Sequence, residues 1–203
     1  MGLLGIWHPT HVFFDEMLSH SHHGDWWLIL HILQMPLFAL VATSVWLLLR
    51  KTDNLFASLS RVALWIFAIS YTAFDTIAGI ASGILFRYVR GASIAEGDAA
   101  YDHMFGLFLA LFNLDMPGGP IIMNLAVWSW VAAMLLAAVA LYIKGVNRVG
   151  VVLIGISALT FQSHVNPYGP ITMALVLAGI ICIEFFPTKW VEATDTNPEV
   201  DKQ

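Results

Sequence analysis

The chain has 203 residues, 59% of them apolar (AVILMFWYC) and only 11% charged, with 9 basic against 14 acidic side chains. An ordinary soluble domain carries about 25% charged residues, so there is too little polar side chain to coat a soluble globule. The same figures exclude a disordered chain, which needs polarity, and a nucleic-acid binder, which needs a basic excess where this chain has a net charge of −5. The lone cysteine, Cys182, excludes an internal disulfide framework. What remains is an all-α polytopic integral membrane protein.

In chain order, residues 1–25 read as an outer segment. They lack the basic n-region of a secretory signal and are expected to be retained. A helix crossing a hydrocarbon core of about 30 Å needs around 20 mostly apolar residues, with every backbone group bonded internally. Five stretches are expected to cross, over 26–49, 59–88, 120–143, 148–163 and 171–186, giving a membrane domain over 26–187. Pro36 falls inside the first and should kink it. Residues 99–112 contain an apolar run too short to cross and predict a half-helix, re-entrant or interfacial. The last two spans are joined by His164-Val-Asn-Pro-Tyr-Gly-Pro170, whose prolines and glycine predict a hairpin. Residues 188–203 form an acidic tail.

Lys and Arg set the orientation. Arg50, Lys51, Arg61, Lys144, Arg148, Lys189 and Lys202 fall on one side, and only Arg87 and Arg90 on the other. Seven against two predicts a cell-membrane protein with its N-terminus outside and its C-terminus in the cytoplasm, which agrees with an odd number of spans.

With that topology all 8 histidines lie on the outer side or in the outer part of a span. Imidazole with carboxylate and thioether is a ligand set for a metal ion or haem, and His31, His103 and His164 are the candidate metal ligands. The bland alternative is a solvated interfacial stretch for His20-Ser-His-His23 and a hydrogen-bonded core residue for His31. On one face of its helix His31 lines up with Trp27, Gln34 and Met35.

Asp75 is the sharpest signal. A carboxylate near the middle of a span costs about 2.5–3.5 kcal/mol to insert, and such residues mark functional sites by default. Gly79 and Gly83 follow at i+4 and i+8, a spacing that brings a second helix close and turns Asp75 away from lipid. Its structural alternative is to lock helices through hydrogen bonds to Thr, Tyr or Asn124. Depth alone then suggests an outward-opening pocket lined by His31, Gln34, Met35, Asn124, His164 and Tyr168, with Asp75 at its floor.

Four functions fit this pattern. The first is a binding or redox module whose pocket holds a metal ion, a haem or a lipid-soluble small molecule. The second is a proton-coupled small transporter in which Asp75 carries the proton. The third is a membrane-embedded enzyme acting on a lipid or isoprenoid, with Asp75 as general acid. The fourth is a structural subunit of a membrane complex. Expected partners are the bilayer, a lipid-soluble small molecule and further subunits or a second copy, and nucleic acid is not expected. No mid-span lysine is available for a retinal Schiff base, and no family resemblance is drawn.

Overall fold

The computed structural model describes residues 14–19, 21–94, 96–111, 121–161 and 167–186, and among them every regular element is helical. In chain order these are α1 (Phe14–Ser19), α2 (Ser21–Leu48), α3 (Leu55–Phe74), a π-helical segment (Asp75–Ala81), α4 (Ser82–Gly91), α5 (Ala99–Leu111), α6 (Ile121–Lys144), α7 (Arg148–Thr160) and α8 (Tyr168–Phe185). Helix α3, the π segment and α4 form one continuous rod of 37 residues.

Four helices are long and apolar enough to cross a membrane: His23–Leu48, Leu55–Gly91, Ile121–Lys144 and Tyr168–Phe185. The expected fourth span, 148–163, corresponds to α7, which is too short to count among these four. Helix α7 has 13 residues, which reach about 20 Å at 1.5 Å per residue. It closes at Phe161, whose φ of −87° and ψ of 39° leave the helical region. Where a half-helix was expected over 99–112 there is a short helix, α5, and α2 runs unbroken through Pro36, whose ring lies on the exposed face.

The outside of the bundle is studded with large apolar side chains, among them Leu40, Trp65, Leu159 and Trp128, the last 68% exposed. A surface of this kind suits hydrocarbon and not water. Inside, the helices meet through small residues. Helices α3 and α6 run together along most of their length, with Ala57, Ala63, Ala133 and Ala137 buried between neighbours and the Ser60 hydroxyl donating to the Ala133 carbonyl at 2.8 Å. Helices α7 and α8 approach at Gly150 and Gly179, where a Cβ on either would stand 2.7–3.0 Å from the other's carbonyl oxygen. In hydrocarbon such close packing takes the place of the hydrophobic drive that holds soluble helices together.

The helix ends are closed by side chains. Asn54 caps α3 by accepting from Ala57 N, and Arg61 donates to the Leu49 and Thr52 carbonyls left over beyond α2. Asn147 accepts from Val149 N and Gly150 N at the start of α7, while its amide donates to the Phe186 carbonyl at 2.8 Å. Asn147→Ala removes all three contacts and lowers unfolding stability by about 1 kcal/mol, read as a shift of the thermal midpoint in detergent.

Two apolar clusters result. The larger joins α2, α3, α6, α7 and α8 around Phe38, Phe67, Trp130 and Phe161; the smaller, nearer the start of α2, joins Phe14, Met17, Trp27, Leu85, Phe86, Val89 and Phe108. The two share no residue, and α2 carries His31 and Gln34 between Trp27 of one and Phe38 of the other.

Candidate functional site

Trp27, His31 and Gln34 fall on one face of α2 because their spacing returns to the same side of a 3.6-residue helix. All three are buried, with His31 2% and Gln34 1% exposed. The face that receives them is the π segment. Helix α3 ends at Phe74, and over Asp75–Ala81 the backbone widens to the π pattern, a feature that recurs at functional sites. Asp75 opens this segment and is 1% exposed.

Gly79 lets the two helices touch. A Cβ there would overlap the His31 ring, and one at Gly83 would stand 2.8 Å from Leu28 Cβ. The glycine spacing expected to bring a helix against Asp75 therefore does so, and the partner is α2. Trp27 fastens the contact by donating its indole Nε1–H to the Gly79 carbonyl at 2.9 Å. Trp27→Phe keeps an aromatic ring beside His31 but removes this donor and part of the buried indole. A loss of about 1 kcal/mol for the bond adds to the cost of the vacated volume, and an unchanged melting midpoint would show that the bond contributes nothing.

The tautomer of His31 follows from its neighbours. Nδ1 lies 2.7 Å from the Trp27 carbonyl oxygen; a carbonyl can only accept, so Nδ1 carries a hydrogen. The other nitrogen, Nε2, lies 3.8 Å from Asp75 Oδ1. In a neutral imidazole it is a lone pair facing a carboxylate, so one further proton is needed for the two to attract. That proton sits either on the carboxyl, as O–H facing Nε2, or on the imidazole, as Nε2–H facing a carboxylate. In both forms the pair is net neutral. Their separation is about 1 Å longer than a charge-assisted N–H···O bond, and neither Asp75 oxygen has a hydrogen-bond partner among the described residues.

Further polar atoms sit buried nearby in sequence. Gln34 Oε1, one turn after His31, and Ser82 Oγ, just past the π segment, are buried with no hydrogen-bond partner among the described residues. Met35 reaches the hydroxyl of Thr76 with its sulfur at 4.0 Å. Tyr71, one turn before Asp75, is buried with its ring centroid 4.0 Å from that of Phe38.

Comparison with known proteins finds no matching family model, no matching curated protein and no matching solved structure.

Of the residues expected to line one pocket, His31, Gln34, Met35 and Asp75 lie where α2 meets the π segment. Asn124, on α6, and Tyr168, at the start of α8, are exposed. Among the described residues Asp75 makes no hydrogen bond to Asn124, Thr or Tyr; the charged-group partner it faces is His31. His103 is exposed on α5, with Nδ1 bound to the Ala99 carbonyl at 2.6 Å, and His164 lies outside the described residues. Among the described residues no three His, Cys, Asp or Glu side chains converge as a metal-holding group.

Sequence reasoning missed two features. One is the π segment, whose extra residue leaves no mark on α-helical spacing. The other is an ionic cluster in which Asp25 of α2 pairs with Arg90 at 3.0 Å and Arg87 at 3.4 Å, both on α4. Its only signal was that the two basic residues on that side, three apart on one helix, lie at the level of an acid just before the first span.

Proposed function

We propose that this chain is a proton-coupled small transporter of the cell membrane in which His31 and Asp75 together take up and release one proton. The observation that carries the reading is the direction of the two imidazole nitrogens, with Nδ1 held by the Trp27 carbonyl and Nε2 turned to a buried carboxylate. Trp27 acts as a positioning residue: its carbonyl fixes the tautomer and its indole fixes the distance between α2 and the π segment.

With the proton present the pair is neutral and suits its apolar surroundings. With the proton gone it carries one negative charge in a place where an unpaired charge is costly. Release therefore requires water, a cation or a rearrangement to reach Asp75 at the same moment, and that requirement couples proton movement to a second event. The π segment supplies backbone able to rearrange, since its widened turns hydrogen-bond less well than α turns.

In this reading the chain crosses five times, with α7 as a short crossing, and the N-terminus is outside. The excess of Lys and Arg at the Arg50 end supports that orientation. The experiment is proton uptake into proteoliposomes holding a trapped pH-sensitive dye. Flux lost in Asp75→Asn supports the reading, and flux equal to wild type would sink it.

One observation favours a second reading, a binding site for a lipid-soluble small molecule. Gln34 Oε1 and both Asp75 oxygens are buried acceptors without donors among the described residues, so a ligand bearing hydroxyl or N–H groups would satisfy them. Organic extraction of the purified protein followed by mass spectrometry would reveal a stoichiometric occupant.

A further inference from the structure

The end of the bundle away from Asp25 holds a different arrangement of charge. Helix α2 ends at Leu48, α6 at Lys144 and α8 at Phe185, and between these ends lies a pocket of about 210 Å³. Its rim carries Arg50, Lys51 and Lys144, and its apolar wall includes Leu48, Leu141 and Ile183. All three cations are exposed, and no carboxylate lies within 4 Å of any of them among the described residues. Glu184 also lines the pocket but pairs with none of them.

Ordinary helix chemistry does not account for the cluster. A cation in the last turn complements the partial negative charge of a helix C-terminus, which covers Lys144. Arg50 and Lys51 lie beyond the last turn of α2. Arg61 is already spent on the Leu49 and Thr52 carbonyls. The contrast with the other end is direct, because Arg87 and Arg90 there have Asp25 between them.

The three helices that meet at the pocket are each long and apolar enough to span a membrane, so their common end stands at the level of the lipid headgroups. We propose that this pocket binds the phosphate headgroup of an anionic phospholipid, with Arg50, Lys51 and Lys144 on the phosphate and the apolar wall against the start of an acyl chain. Basic pockets between transmembrane helices recognise such headgroups by charge and are screened by salt. The site is independent of the His31–Asp75 pair and stands whether or not that pair moves protons.

The test titrates the full-length protein in a neutral detergent with dioleoyl phosphatidylglycerol, with net-neutral dioleoyl phosphatidylcholine, or with inorganic phosphate, and counts adducts by native mass spectrometry. One retained phosphatidylglycerol is expected, and none of phosphatidylcholine under the same conditions. The combined Arg50→Gln, Lys51→Gln, Lys144→Gln variant weakens phosphatidylglycerol binding on the order of a hundredfold, roughly fivefold per cation, whereas Glu184→Gln tightens it. If the triple variant does not fold, Glu184→Gln decides alone: tighter binding supports the site and unchanged binding overturns it. Equal binding by wild type and the triple variant also overturns it. Displacement of phosphatidylglycerol by equimolar inorganic phosphate would make this a soluble-phosphate site. Binding seen only after Glu192, Asp195, Glu199 and Asp201 are replaced by their amides would make the acidic tail the occupant. Either result defeats the lipid assignment.

Discussion

The proposed proton-carrying role predicts that Asp75→Asn loses nearly all proton uptake while the protein stays folded. The substitution keeps the shape of the side chain at a site where His31 and Asp75 are 2% and 1% exposed. It also keeps the hydrogen-bonding sense of the protonated pair, because the Asn amide N–H can face the Nε2 lone pair as the carboxyl O–H does. What it removes is the ability to give that hydrogen away. Thermal stability should stay within about 1 kcal/mol of wild type, while flux in proteoliposomes falls by at least ~100-fold, the scale of a lost proton-transfer group. The opposite pattern, a large drop in melting temperature with flux intact, would show that Asp75 serves only to join helices.

Gly79→Ala should destabilise the protein by about 1–3 kcal/mol, against the usual sign of the change. In an exposed helix the same substitution gains up to about 1 kcal/mol, because glycine has more backbone freedom to lose. At Gly79 the added Cβ would overlap the His31 ring. That ring cannot swing aside without giving up its bond to the Trp27 carbonyl, and its centroid lies 4.2 Å from that of the Trp27 indole. Gly106, inside α5, provides the internal control, since a Cβ there meets nothing within 4 Å. Gly106→Ala should therefore raise the melting temperature while Gly79→Ala lowers it. Two changes of the same sign would mean that α2 and the π segment are not in tight contact.

Most of the helical plan was legible because it rests on apolar run length, which one sequence displays directly. The short helix over 99–111 and the long second rod both follow from where apolar residues stop. The end of α7 was nearly legible: its apolar run stops at Phe161, the residue that closes the helix, and the expected span over 148–163 ran on into residues outside the described ones. At the site, burial of His31, Gln34 and Asp75 could be read from depth and face, and Gly79 and Gly83 announced a close neighbour. The identity of that neighbour could not be read, since a face points at a partner without naming it. Asn124 and Tyr168 lie at plausible depth on helices whose inward faces are defined by other residues, such as Ala126, Trp130, Thr172 and Met173.

The π segment also sets the azimuth of everything that follows it in the second rod. A π turn holds about one residue more than an α turn, so α4 leaves the segment rotated by roughly 100° from where an uninterrupted α-helix would carry it. That rotation decides which way Phe86, Val89, Arg87 and Arg90 point. With it, Phe86 packs beside Phe14 at 5.9 Å between ring centroids and both arginines reach Asp25. Removing a single residue between positions 75 and 81 would restore regular α pitch and swing the whole of Ser82–Gly91 round the rod. The Asp25 end of the molecule is thus aimed by the same irregularity that presents Asp75 to His31.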